Sequence, residues 1–425
     1  MDRRKVENSG IPYVLLFHMW IINLVTCASY MLGRALTSIL WGILADQIGR
    51  KPIIVVTIFS MLVFNTLFGL SVRYWMAIAT RFLLGFLHGS LGTLRAYAVE
   101  VCRPEHHAIG LSIVSTSWAV ALIIGPAIGG YLAQPTEKYP KLFPANSFFG
   151  RFPYFLPCLC MSVFYFVILI SCIWLSETLH MHRLEKKEDQ STNSFEFVNE
   201  HSTSTTTKSL FRNWPLMSSI TLFCITCFDD MAYSEIFPLW AESNKKFGGL
   251  SFSTEDVGNV LVVTGASILL YQTFIYPRIV QVLGVINTSR VAAILSTLLL
   301  ITYPPMTNLS RPWLYYAVNI ASLLKNICVA TVVTCSFILQ NNSVPQDQRA
   351  TANGIATTLM SFGKAIAPAG AGIMFSWAQK HHHAFLFSGD QILFFLLSIV
   401  AFLEFIWTFK PFLAMTKKYS VDACH

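Results

Sequence analysis

Charge is scarce in this chain. Only 12% of its 425 residues are Asp, Glu, Lys or Arg, while 54% are hydrophobic. An ordinary soluble domain carries about 25% charged residues, so a water-facing surface of the usual kind is excluded. Motifs for covalent chemistry are missing too. The sequence holds no phosphate-cradling glycine loop, no nucleophile set and no catalytic metal pattern, so neither an enzyme nor a cofactor is expected. The ten cysteines are scattered, mostly inside apolar runs. Cys224 and Cys227 of "CITC" have ligand spacing but no second pair, so packing is expected there and no metal site. The histidines at 180–182 and 381–383 stand in expected loops, where they either meet a soft metal or are simply solvated. The formal net charge of +8 does not point to nucleic acid. Lys and Arg are more frequent in the loops on the side of Arg50 and Lys51 than in the opposite loops, which is the positive-inside bias of a membrane protein.

What the chain has instead is long apolar runs. A bilayer core about 30 Å thick is crossed by roughly 20 apolar residues in a helix, whose backbone bonds to itself. Runs of that kind lie at 13–45, 53–72, 74–99, 108–133, 152–176, 214–241, 257–280, 291–307, 312–341, 350–378 and 391–409. The expectation is an all-α integral membrane bundle of about eleven spans. One segment breaks the pattern. Residues 177–213 are polar, charged and rich in Ser and Thr, a composition that buries too little apolar surface to fold alone, and a flexible cytoplasmic linker is expected. The chain then divides into a first half (1–176), the linker, a second half (214–412) and a cytoplasmic tail (413–425).

The halves resemble each other. "GLSIVSTSWAVALIIGPAIGGYLAQ" and "GIATTLMSFGKAIAPAGAGIMFSWAQ" each place a proline before small residues late in a long run, with Pro126 matching Pro368. "WGILADQIG", ending at Gly49, has a worn counterpart in "YPRIVQVLG", ending at Gly284. Duplicated helix bundles are the mark of secondary transporters, in which two repeats rock about a midplane site.

Specific stretches carry a family resemblance. "GILADQIGRK" is similar to the loop between the second and third helices of the major facilitator superfamily. "RFLLGFLHG" resembles the fourth-helix motif of its proton-coupled members, and "GPAIGG" the fifth-helix motif of its antiporters. "ASYMLGRALTSILWGILAD", "FGRFPYFLPCLC", "DMAYSEIFPLWA" and "QDQRATANGIA" look like the plant zinc-induced facilitator-like proteins, a similarity running from about residue 28 to Leu413. The resemblance implies a two-repeat bundle of twelve spans. It implies proton-coupled antiport of a small organic solute or a metal chelate, such as a nicotianamine complex, and a link to zinc homeostasis. It further implies placement in the vacuolar or plasma membrane, with the lipid bilayer, protons and the solute as partners and a monomer as the working unit. An uncoupled facilitator, or a truncated non-transporting regulator of a full-length relative, remains open. Relatives have a helix before "ASYMLGRALTS". Here Met1 to Gly49 spans 48 residues against 69 from Pro215 to Gly284, so a first span is expected to be missing.

Several residues stand out physically. Gly42 and Gly49 let helix ends approach, Asp46 can meet the positive end of a neighbouring helix, and Arg50 and Lys51 supply mobile cations. This island is expected to be a conformational latch rather than a topology anchor alone. In "GPAIGG", Pro126 removes a helix hydrogen bond while Gly125, Gly129 and Gly130 allow close packing against another helix, so a bend or a packing seam is expected. Charges inside spans are costly and mark function: Arg34, Arg81, Arg95, Asp229, Asp230, Glu235, Lys325, Lys364 and Glu404. Arg81 and Arg95, fourteen apart, fall about 40° apart on one continuous helix and are expected to share a face, unless they anchor or snorkel at its ends. Lys325 and Lys364 are candidates for anion contact or ion pairing, and Glu404 is expected to be structural. Asp229 and Asp230 point about 100° apart. Asp230 is the candidate proton carrier, because a carboxyl in a poorly hydrated cavity can be neutral on one leg of a cycle and charged on the other. Pairing for stability alone is the competing reading.

Overall fold

The structure is a computed structural model that describes residues 13–103, 106–144, 146–178, 210–245, 248–380 and 391–413. Residues 1–12, where a preceding span was expected to be lost, lie outside it. So do the histidines at 180–182 and 381–383, most of the linker, the tail from 414, and the side chains of Pro126 and Gly130.

Helices account for all the regular structure among the described residues. In chain order the main ones are α1 (Tyr13–Ile48), α2 (Arg50–Gly69), α3 (Tyr74–Phe86), α4 (Ser90–Val101), α5 (His107–Leu132) and α6 (Phe155–Ser171). After the linker come α7 (Trp214–Glu242), α8 (Thr254–Leu270), α9 (Tyr276–Leu283), α10 (Val285–Met306), α11 (Arg311–Asn342), α12 (Arg349–Lys380) and α13 (Gln391–Trp407). Each apolar run falls on one of these helices or on two in tandem. Among the described residues, seven spans are long and apolar enough to cross a membrane by length and composition. Helix α7 is long as well, but it carries Asp229, Asp230 and Glu235 along its middle.

Local chemistry sets the boundaries. Asn213 caps α7 by accepting from the Leu216 amide at 3.4 Å, and Pro215 sits in the first turn where its missing N–H costs nothing. Ser253 and Asp256 form a reciprocal capping box at α8. Gly49 and Gly284, the paired glycines of the sequence repeat, both take positive φ, 124° and 76°, and each lets one helix turn directly into the next.

Two corrections concern continuity. The expected single helix over 74–99 is broken at Leu87–Gly89, where the Gly89 amide turns to Thr57 Oγ1 at 3.2 Å. A Cβ on Gly89 would fall 2.7 Å from the Trp41 ring, so this backbone lies hard against α1. Described residues at both edges of the expected linker are held against helices. Glu177 and Thr178 bond to neighbouring helices, and Leu210 is buried in the core of the second half.

Helix α1 runs antiparallel to α12 and joins the halves. Arg34, Ser38, Gly42 and Asp46, four residues apart on one face, meet Ser361, Gly354, Ala350 and Thr351. Small residues make the approach possible: a Cβ on Gly42 would lie 2.5 Å from the Ala350 carbonyl oxygen. A second junction sets α5 against α11 and the turn that follows α8, through Ser112 on the Gln272 carbonyl and Ser115 on Thr334 at 3.0 Å. The aromatic core of the second half centres on Trp240, Tyr303 and Phe394. Val163, Phe164, Phe166 and Val167 on α6 face outward exposed, the arrangement of a helix solvated by lipid.

Candidate functional site

Two groups of buried charges stand at different depths. The first lies where α1 ends. Asp46 accepts from Arg50 Nη1 at 2.6 Å, from the Thr351 amide at 2.7 Å, from the Ala350 amide at 3.2 Å and from the Thr351 hydroxyl. The carboxylate therefore occupies the positive N-terminal end of α12 across the junction of the halves. Arg50 is fully buried rather than a mobile cation. Its Nη2 donates to Glu100 at 2.8 Å and to the Gln346 carbonyl at 3.0 Å, which leaves the side chain no freedom. Glu100 also accepts from the Thr178 hydroxyl at 2.6 Å. The Glu177 carboxylate accepts from the Arg50 and Lys51 amides, both at 2.9 Å, and caps α2, while Lys51 Nζ reaches the Ile173 carbonyl at 3.1 Å. Gly42, Asp46, Gly49, Arg50 and Lys51 are thus brought together. Sequence reasoning missed Glu100, Glu177 and Thr178. The signal was an arginine that, if buried, needs two carboxylates.

The second group lies inside the second half. Lys325 Nζ stands 3.2 Å from Asp229, an ion pair whose angles fall short of a hydrogen bond. The ammonium also lies 4.2 Å from the centre of the Tyr233 ring, and the Tyr233 hydroxyl bonds Tyr303 at 2.8 Å and Ser322 at 3.3 Å. Lys364 Nζ stands 3.9 Å from Asp230, with the two side chains 12% and 21% exposed. The neighbouring aspartates point apart, one to α11 and the other to α12, as their spacing on a helix requires. Glu404 is buried within electrostatic reach of Asp229 and Lys325. Glu235 is half-buried five residues beyond Asp230 on the same helix.

The two arginines of the first half do not share a face. The break at Leu87–Gly89 disrupts the helical phase between them. Arg81 lies 3.9 Å from the centre of the Phe68 ring on α2, whereas Arg95 lies over Phe337 of α11 at 3.7 Å and near Phe223 of α7 at 5.3 Å. Arg34 crosses the junction, its Nε donating to Ser361 at 2.9 Å. His88, at the break and absent from the sequence-derived candidates, bonds the Tyr30 hydroxyl at 2.9 Å.

The glycine motif on α5 also differs from expectation. A Cβ added to Gly125 or Gly129 would meet nothing within 4 Å, so these two glycines form no seam. The reason is position: α5 docks through Ser112 and Ser115, more than two turns before the motif. Among the described residues no cluster of three His, Cys, Asp or Glu is placed to hold a metal ion.

Chemically, the two groups offer different things. The first is a satisfied ionic joint between helix ends. The second is a set of carboxyls and ammoniums in a low dielectric, where a change of protonation changes partners.

The sequence profile of the Major Facilitator Superfamily matches residues 19–368. Zinc Induced Facilitator-Like 1 of Arabidopsis thaliana is 44% identical, and Zinc Induced Facilitator 1 of the same plant 46% identical, each alignment covering 98% of this chain and 95% of the relative. A third Arabidopsis thaliana protein, named as a probable peptide/nitrate transporter, is 43% identical over 97% of the chain. Among solved structures, the human organic anion transporter MFSD10 superposes with a TM-score of 0.62 at 16% identity, covering 91% of this chain and 83% of its own.

Proposed function

The chain belongs to the Major Facilitator Superfamily and is an integral membrane transporter, and from that premise we propose that it exchanges a small organic solute or metal chelate for protons. The observation that carries this reading is the Asp230–Lys364 pair. At 3.9 Å, and partly exposed between α7 and α12, it is loose enough to part when Asp230 takes a proton. Protonation removes one of the charges that hold Lys364, and the altered balance at the ammonium then favours a different packing of α12 against α7. A proton on one side of the cycle is thereby tied to a rearrangement on the other.

The joint built on Asp46, Arg50 and Glu100 is the latch of this cycle, closing the cytoplasmic side. It stands at the end of α1, and its closing strength comes from amides that α12 presents only when the helix ends meet. The close relatives, named as zinc-induced facilitators, support a solute connected with zinc, for which a nicotianamine complex is the first candidate. The same likeness supports the vacuolar or plasma membrane as its place.

Uptake into proteoliposomes tests the reading. Preloaded with solute and given an imposed pH gradient, the protein is expected to accumulate labelled nicotianamine–zinc complex or another panel chelate, and a protonophore is expected to collapse the accumulation. Uptake that equilibrates at the same level with and without the gradient would establish an uncoupled facilitator instead.

A further inference from the structure

Arg95 is a buried cation that the exchange scheme leaves unused. Only 5% of it is exposed, and its Nε and Nη1 find no hydrogen-bond partner. Its companions are apolar or neutral: the Phe337 ring at 3.7 Å, the Phe223 ring at 5.3 Å and the Cys227 thiol. Arg34 is the second guanidinium within electrostatic reach, and its own bonds run to Ser361 and Met31, again neutral groups. Two guanidiniums thus occupy the junction of α1, α4, α7, α11 and α12, and among the described residues no carboxylate is bonded to either. The nearest carboxylate on α4, Glu100, is committed to Arg50. Unpaired buried cations are expensive, and an aromatic face recovers only part of what an anion gives.

The position adds a second point. Arg95 belongs to the first half, whereas Phe223 and Phe337 belong to the second, and on α4 Arg95 stands five residues before Glu100, the partner of Arg50. When that joint opens, α4 leaves α7 and α11. The guanidinium then loses both rings and presents its unused N–H donors to the opening. A planar fork of donors is the group that matches a carboxylate.

We propose that Arg95 is the anchor for the anionic group of the transported solute, a carboxylate-bearing organic anion, and that Phe337 and Phe223 hold the guanidinium when no anion is bound. The proposal rests on the transport reading above and names the charge class of the solute. In the closed state the rings compete with the anion for Arg95, which favours release toward the opposite side. Arg34 adds positive field without touching the anchor.

Equilibrium binding of radiolabelled citrate to the purified full chain in lipid nanodiscs, with no proton gradient, tests this. The wild type is expected to bind citrate and to ignore tetraethylammonium. Arg95→Gln weakens citrate binding by about tenfold or more, and Arg95→Lys by less, because it keeps the charge and loses the fork. Phe337→Leu tightens binding about threefold or more, since it removes the face that competes for the guanidinium. Citrate binding by Arg95→Gln within about twofold of wild type overturns the proposal, as does a Phe337→Leu variant that binds more weakly than wild type. A wild type that binds tetraethylammonium or fails to bind citrate overturns it equally. Should Arg95→Gln fail to fold, the direction of change in Phe337→Leu decides alone. Because binding is read at equilibrium with no proton gradient, its result stands apart from that of the gradient-driven accumulation assay, so failure of one is distinguishable from failure of the other.

Discussion

The joint at the end of α1 and the ion pairs of the second half both set cations against carboxylates, to opposite effect. Around Arg50 the Asp46 and Glu177 carboxylates accept from backbone amides at the starts of α12 and α2, and Glu100 is held by Arg50 and the Thr178 hydroxyl. Around Lys325 and Lys364 the pairs with Asp229 and Asp230 are made between side chains, at 3.2 and 3.9 Å, and these pairs fall short of full hydrogen bonds in angle or distance. A network anchored to backbone can open only by moving whole helices. A network of side chains can change by moving a proton. The contrast assigns conformational holding to the first and chemical sensitivity to the second.

The contrast breaks most severely where one member of the deepest pair is lost. Asp229→Ala leaves Lys325 fully buried without its counter-ion, and removal of one partner of a buried pair costs about 3–5 kcal/mol. A fall in thermal midpoint of the purified protein, largely restored by adding Lys325→Met, is the expected outcome. Recovery by the second change shows that the stranded charge, not the missing contact, caused the loss.

A smaller effect belongs to the joint. Gly42→Ala sets a Cβ 2.5 Å from the Ala350 carbonyl oxygen and 2.9 Å from the Thr351 Cα, backbone atoms that cannot step aside. Overpacking of this kind costs about 1–3 kcal/mol and acts on the closed form. Maleimide labelling of a cysteine placed at Gln346 is expected to rise by about fivefold or more in this variant. Unchanged labelling would mean that the joint does not hold the closed form.

The smallest effect is expected at Gly125→Ala. No heavy atom lies within 4 Å of the added methyl, and alanine is better than glycine inside a helix by about 0.5–1 kcal/mol. An unchanged or slightly raised thermal midpoint is expected, whereas a seam of close packing there would give a clear fall.

The sequence carried the helices well because apolar runs and their breaks are local features. Gly49 and Gly284 were legible as turning points for the same reason: their positive φ follows from a junction between helices one residue apart. The residues completing the joint were not legible. Glu100 and Glu177 stand 50 and 127 positions from Arg50, and only the packed fold reveals that a charged side chain expected at a water-facing loop is fully buried. Arg81 and Arg95 failed differently. Their shared face depended on an unbroken helix, and the turn at His88 and Gly89 is set by contact with Thr57 and Trp41 on other helices. The aspartates were placed correctly relative to each other, since the angle between adjacent residues is a property of any helix.

The central claim is that Asp230 carries the proton. The most direct measurement compares Asp230→Asn with wild type in proteoliposomes, reading gradient-driven accumulation and gradient-free exchange of the same labelled solute. The account requires that accumulation disappear while exchange remains, because asparagine keeps the shape and removes only the titration. An Asp230→Asn protein that still concentrates its solute when a proton gradient is imposed contradicts the account.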